Sequence, residues 1–418
     1  MESLFDHSAD PPVLFRGQSY SSPKLFRTGT HRTRTPEQTL AVASSFFHQA
    51  GMTRLADITG LDCIGIPTIL ALRPNGKSLS VSAGKGVSVA AAKTSAAMEA
   101  IELNQAEYFL LPSVRASWRE MAERSCVIPA ELLPLSRNSL FSLDWSYRWC
   151  MGWDIVAQRE VATPQYIVNM DRANGQIREL GAFQINSNGL ASGNNFLEAL
   201  TSSLLEVIER DAVTLTRLPW EQGRGAPPLV RNDSITDPLL RELLDRIKAA
   251  RADILLFDCR VDTQVPVFVA VLRDLEDPNI GLYRGGGAHL DPVVAASRAI
   301  TEAVQSRAVY IAGSRDDLFK QGHFRLRNLD PQLVIDNLTR NSSTIDWPFD
   351  GSEATDSFEG DVRVILGKLA KVGLSSVIVH DLTGPDCPVT VLKTVIPGIE
   401  GYYNDWYAPG PRAREWMR

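Results

Sequence analysis

The stretch SAAMEAIE, residues 95–102, sets two glutamates in a run otherwise made of Ser, Ala, Met and Ile. An α-helix turns about 100° per residue, so with Ser95 at zero Glu99 falls at about 40° and Glu102 at about −20°. Ala96, Ala97, Met98, Ala100, Ile101 and Leu103 take most of the remaining circumference. A helix that is apolar nearly all round is usually buried. Two unpaired carboxylates on its one polar strip would cost many kcal/mol, or shift their pKa values until they neutralised. Two repairs exist: basic side chains from elsewhere, or a metal cation.

Two further segments with helical patterning carry acids. In NNFLEALTSSLLEVIERDAV, Glu209 lies about 20° and Glu206 about 80° from Glu198, opposite Leu197, Leu200, Leu204, Val207 and Ile208. Alone, this reads as an amphipathic helix with its acids in water and Glu206–Arg210 as an i,i+4 pair. In DPVVAASRAITEAVQSRAVYI, Arg298, Glu302 and Gln305 fall within about 60° of one another. For any single helix a solvated face or a structural salt bridge is the plain reading. The repetition shifts the balance, because each helix follows a strand-like run and a Gly-rich turn: SLSVSAGKG, AFQINSNGLASG and NIGLYRGGGAHL. Converging carboxylates without a matching lysine supply suit a hard cation, and Mg²⁺ with phosphate is the usual reason to assemble them. The Gly turns offer backbone N–H groups to phosphate oxygens, although glycine turns alone signal little.

Other chemistries are less well served. ALRPNGKS (71–78) ends like a P-loop, but Ala71 stands where the first Gly belongs and a strand-like SLSVS follows instead of a helix. His48, His289, His323 and His380 show no metal-ligand spacing, and no nucleophile elbow supports a hydrolase triad.

The elements that must position the acids follow a mixed pattern. Residues 1–50 read as a polar arm (1–35) and a helix that starts with Thr35 as N-cap, Pro36 at its first position and Glu37 and Gln38 in its first turn. Residues 51–400 read as the main domain, in up to three subdomains, and 401–418 as a loop-like tail. GIPTILALRP and KSLSVSAG are strands joined by a Pro74-Asn75-Gly76 turn; ADILLFDCR, VPVFVAVLRD and SSVIVHDL are buried strands. Residues 315–360 read as a polar, irregular surface excursion. The alternation predicts an α/β (α+β) fold with mixed sheets. Lys plus Arg is 43 and Asp plus Glu 49, a net charge of −6, which argues against a nucleic-acid partner held by bulk charge. Five widely spaced cysteines without a CxxC argue against a disulfide framework or zinc site, and for a reducing cytoplasm. The N-terminus lacks signal-peptide patterning, and no run reaches the roughly 18 apolar residues of a membrane span.

GKGVSVAAAKTSAAMEAIE, NGLASGNNFLEALTSSLLEVIERDA and GAHLDPVVAASRAITEAVQSR resemble the three nucleotide-site blocks of the YcaO domain in order, spacing and content. The resemblance covers residues 50–400 and implies the YcaO fold, with ATP and Mg²⁺ held without a P-loop. Position by position it implies a metal set of Glu99, Glu102, Glu198, Glu206, Glu209 and Glu302. It implies a nucleotide set of Lys85, Ser95, Asn194, Ser203, Arg210, Gln305 and Arg307, although Arg307 points about 140° away from Glu302. Arg32 and Arg34 of the arm could also approach the nucleotide.

The activity implied is ATP-dependent activation of a peptide backbone amide. A neighbouring Cys, Ser or Thr then gives an azoline, a sulfide equivalent a thioamide, and an amine an amidine. Azoline-forming members typically end in a PxPxP tail, whereas this chain has Pro409-Gly410-Pro411 followed by seven residues. GMTRLADITGLDCIGIPTILALRPN, AGSRDDL and VLKTVIPGIEGY are similar to the stand-alone branch paired with a TfuA-type protein. That likeness implies thioamide formation on a peptide substrate and a TfuA-like partner; the family resemblance implies a homodimer. The alternatives are an azoline- or amidine-forming cyclodehydratase and, from another class, a non-catalytic peptide-binding scaffold. A scaffold would have no physical reason to keep so many carboxylates in apolar surroundings.

Overall fold

All three strand–glycine–helix blocks form. Strand Val81–Lys85 precedes helix Val89–Tyr108, strand Leu190–Gly193 precedes helix Phe196–Glu221, and strand Leu282–Ala288 precedes helix Pro292–Ala312. The architecture is seen in a computed structural model that describes residues 10–171, 181–276, 281–314, 331–404 and 407–418. His323, the first residues of NIGLYRGGGAHL and most of AGSRDDL lie outside the described residues. Each block helix starts on a side-chain cap, which satisfies amides of the first turn: Ser88 accepts from the Ala91 N–H, Asn195 from Glu198, and Asp291 from Val293 and Val294.

The block glycines serve helix packing. A Cβ on Gly84 would lie 2.1 Å from the Ala96 nitrogen, on Gly193 2.3 Å from the Ala199 nitrogen, and on Gly285 2.2 Å from the Ala299 carbonyl oxygen. These three positions therefore let each helix lie directly on its own strand. That is a different task from the phosphate cradle suggested by the sequence.

Among the described residues, the strands form a five-stranded, a six-stranded and a three-stranded sheet, plus a two-stranded hairpin in the arm. Leu282–Ala288 ends the five-stranded sheet, Leu190–Gly193 ends the six-stranded path, and Val81–Lys85 ends the three-stranded sheet. Each block strand is thus the edge of a different sheet, and its free edge is available to a neighbouring block. The predicted strands at 252–258, 267–274 and 378–381 are present and largely buried, and Thr68–Leu72 pairs antiparallel with Val81–Lys85.

Three regions carry more order than the sequence suggested. In the arm, Val13–Phe15 and Gln18–Tyr20 form a hairpin whose Phe15 and Tyr20 rings sit 4.7 and 4.4 Å from the Phe196 ring. In the supposed surface excursion, Ile335 and Leu338 of helix Pro331–Thr339 are buried, Thr344–Ile345 pairs with Leu229–Val230, and Trp347 stacks on Phe268. In the tail, helix Pro411–Trp416 forms because Glu400 accepts from the Gly410 and Ala413 N–H groups at its start. Among the described residues, no helix is long and apolar enough to cross a membrane.

Candidate active site

The three blocks exchange contacts in a ring. Glu102 of the first helix accepts from the Ser192 N–H and hydroxyl, on the second strand, at 2.9 and 2.7 Å. Glu209 of the second helix lies against Gly286 of the third strand, where a Cβ would stand 2.8 Å from its Oε1. Glu302 of the third helix pairs with Lys85 of the first strand at 2.6 Å. Gln305 adds a hydrogen bond to the Ala83 carbonyl of that same strand. Each helix therefore presents its carboxylate to the edge strand of the next block, and the third closes back onto the first.

Burial dominates the electrostatics of this ring. It pushes the Glu102 carboxyl up to about 8; the Glu99 and Glu206 charges add to this, against the Ser192 hydrogen bonds. It pushes Glu206 up as well, and Arg210 and Lys393 offset only part of that. Glu302 goes the other way. Burial would raise it, but the Lys85 and Arg210 charges hold it well below the usual carboxylate range. Lys393, almost fully buried, donates to the Asn186 carbonyl at 2.7 Å; burial pushes its ammonium down and Glu206 works against that. Arg210 pairs with Glu209 at 3.4 Å and keeps its charge through Glu209, Glu206 and Glu302, despite burial.

The second helix differs from its amphipathic reading. Glu198 and Glu209 are 2% and 3% exposed, not solvated, and the close ion pair of Arg210 is with Glu209. Glu198 is heavily committed. Its carboxylate accepts from the Thr33 N–H and hydroxyl at 2.9 and 2.8 Å and from the Asn194 side chain at 3.0 and 3.1 Å, so it latches the arm to the helix start. Ser203 donates to the Gly189 carbonyl and is hydrogen-bonded to the Thr394 hydroxyl, both at 2.6 Å, inside the core. Arg307 binds Asp62 and Asp274 at 3.0 and 2.9 Å on the side of its helix away from Glu302, as the angle of about 140° requires. The structure thus gathers Lys85, Glu102, Glu206, Glu209, Arg210 and Glu302, with Glu99 beside Glu102. Ser95 is half-buried on the first helix.

Two contributors were missed: Ser192 meets Glu102 from 90 positions away, and Lys393 lies on the distant strand Thr390–Val395, so no spacing pointed to them. Arg298 had been placed on the face of Glu302, and its charge reaches both Glu302 and Glu206. Arg32, expected near the nucleotide, sits 3.6 Å from Glu198 and within reach of the Glu102 charge.

His31, His289 and Asp361 bring three possible metal-ligating atoms within 4.8 Å of one another. The donor set does not fit a cation. His289 Nδ1 accepts the Asp291 N–H, whereas binding through Nε2 needs a proton on Nδ1. Lys24 already places its ammonium 2.5 Å from Asp361. The trio welds the arm to the third block and to helix Phe358–Lys371.

The acidic ring carries hard oxygen donors of the kind Mg²⁺ takes, and burial raises the Glu102 and Glu206 carboxyls, a cost that a bound dication offsets. Glu107 of the same first helix is paired with a base instead, Arg73. Lys85, Arg210, Arg298 and Arg32 around the ring suit phosphate oxygens.

Comparisons with known proteins agree. Residues 83–400 match the sequence profile of the family described as YcaO cyclodehydratase, ATP- and Mg²⁺-binding. An uncharacterized protein in the tfuA 3′ region of Rhizobium leguminosarum bv. trifolii is 35% identical over 379 residues, 88% of each chain. An uncharacterized protein of Methanothermobacter thermautotrophicus is 34% identical, covering 91% of this chain and 97% of its own. Among solved structures, a heterocyclase in complex with substrate and cofactor is similar with a TM-score of 0.78 at 22% identity. It covers 99% of this chain, which spans 58% of the heterocyclase. YcaO from Methanopyrus kandleri, bound with AMPPCP and Mg²⁺, is similar with a TM-score of 0.71 at 23% identity, over 93% of this chain and all of its own. The chain belongs to the YcaO family, the ATP- and Mg²⁺-dependent enzymes of the cyclodehydratase type.

Proposed function

We propose that this YcaO enzyme, which modifies peptide backbones at the expense of ATP, converts a backbone amide of a ribosomally made peptide to a thioamide, with a TfuA-like protein as partner. The relative in the tfuA 3′ region carries the branch reading.

In this reading Glu99, Glu102, Glu206, Glu209 and Glu302 are the candidate Mg²⁺ ligands, and Glu198 holds the arm in place beside them. Bound Mg²⁺ neutralises charge on the transferring phosphoryl group. Lys85 and Arg210, each already fixed by a glutamate, are the residues that hold phosphate oxygens. The amide oxygen takes the γ-phosphoryl of ATP, whose bond to the β,γ-bridging oxygen breaks to release ADP, and a sulfide equivalent adds to the amide carbon and gives up its proton. The C–O bond then breaks, so that phosphate leaves with the former carbonyl oxygen and the C=S bond forms.

The test is to incubate the enzyme and a TfuA-like partner with candidate peptides, ATP, Mg²⁺ and sulfide, and to weigh the peptide. A gain of about 16 Da is the expected oxygen-to-sulfur exchange, whereas a loss of about 18 Da would assign a cyclodehydratase.

A further inference from the structure

The segment after Glu400 lies along the second-block helix and covers one stripe of it. Residues 210, 214 and 217 stand at i, i+4 and i+7, on one face. The Tyr402 ring sits 5.2 Å from the Arg210 guanidinium, Thr214 donates to the Gly401 carbonyl at 2.8 Å, and the Tyr403 ring sits 4.3 Å from Arg217. Both ends of the stripe are tied. Asp211, fully buried, accepts from the Glu400 N–H at 3.0 Å and from Arg412 Nε and Nη2 at 3.0 Å each. Arg412 also pairs with Asp262, and Tyr403 donates to Glu221 at 2.6 Å. Tyr402 itself is 47% exposed, so half of its ring is not spent on packing.

We propose that Tyr402 is a positioning residue for ATP binding: strapped down through Asp211, Arg412 and Tyr403, its ring holds one face of Arg210 and keeps the guanidinium aligned with Glu209 and the acidic ring. An arginine has four rotatable side-chain bonds, and a flat ring on its face removes much of that freedom before the ligand arrives. The guanidinium is then pre-organised for phosphate instead of being ordered by it. The ring supplies this through its π-face, not its hydroxyl.

The inference rests on the reading that Arg210 faces bound Mg·ATP, so Arg210→Ala is measured alongside. Calorimetric titration with Mg·ATP, together with steady-state ATP turnover, separates the two. Tyr402→Ala is expected to weaken binding and raise KM for ATP roughly three- to fivefold with kcat within about twofold, while Tyr402→Phe stays within about twofold of wild type. Arg210→Ala is expected to lose at least about tenfold, and the double variant to bind within about twofold of Arg210→Ala alone. Wild-type affinity in Tyr402→Ala beside a weak Arg210→Ala overturns the positioning role and leaves the site intact. Wild-type affinity in both overturns the site reading with it. Additive losses in the double variant, or a Tyr402→Phe as weak as Tyr402→Ala, also overturn the inference, since the ring would then act without Arg210 or through its hydroxyl.

Discussion

The Glu102 carboxylate accepts two hydrogen bonds from Ser192, from its N–H at 2.9 Å and its hydroxyl at 2.7 Å, and neither donor carries charge. A buried acid held this way is poorly compensated, and its carboxyl is pushed up to about 8. Stability follows by linkage. The folded-state pKa lies above the ordinary value of 4.5, so the protonated form favours folding. That contribution is complete below about pH 4.5 and is lost as pH rises through about 8. The metal-free protein should therefore lose melting temperature between pH 6 and 9, and Glu102→Gln should flatten this part of the profile. Thermal melts in a chelator across that range check it; an unchanged slope in the variant would place the raised carboxyl elsewhere.

Mg²⁺ needs the same carboxylates deprotonated. Binding of Mg·ATP should release protons near pH 7, where Glu102 is still protonated, and fewer near pH 9. Titrations in buffers of different ionisation heat report the proton count directly. A count that does not change between these pH values would mean that the raised acids are not ligands.

Adjacent glycines of the third strand should behave differently. At Gly285 a Cβ meets helix backbone at 2.2 Å, so Gly285→Ala forces strand and helix apart and should cost several kcal/mol or abolish folding. At Gly286 the Cβ meets the end of the Glu209 side chain at 2.8 Å, which can swing aside. Gly286→Ala should melt within a few degrees of wild type yet lose ATP turnover by about tenfold or more, because it displaces a carboxylate of the ring. Melting curves and phosphate release measured on both variants test the contrast.

The Thr33–Glu198 latch has its own signature. Thr33→Val leaves the Glu198 oxygen with one donor fewer in a buried place and should cost about 1–3 kcal/mol, read as a lower melting temperature and faster proteolysis of the arm. Thr33→Ser keeps the donor and should restore most of the loss. Equal melting of Val and Ser variants would show that the hydroxyl holds nothing.

Much of this site was legible because it is written in helical periodicity. The strip of Glu99 and Glu102 in an alanine-rich helix and the direction of Arg307, away from Glu302, follow from angles along one chain, and the strand–glycine–helix blocks from its patterning. What the sequence hid is what comes from the next block. Ser192 meets Glu102 from 90 positions away and Lys85 meets Glu302 across 217, and no local pattern encodes such pairings. The burial of Glu198 was hidden for the same reason: half of its circumference looked solvated until Thr33 of the arm covered it. The order at 331–349 and in the tail was missed because these short elements dock onto surfaces built elsewhere in the chain, such as Trp347 on Phe268.

One calorimetric experiment reaches the centre of the account: titrating Mg·ATP into Glu102→Gln, Glu209→Gln and Glu302→Gln, one carboxylate from each block helix. Each should lose at least about tenfold in affinity while remaining folded, since all three serve one bound Mg·ATP. Wild-type affinity in all three would contradict the shared acidic ring and, with it, the proposed chemistry.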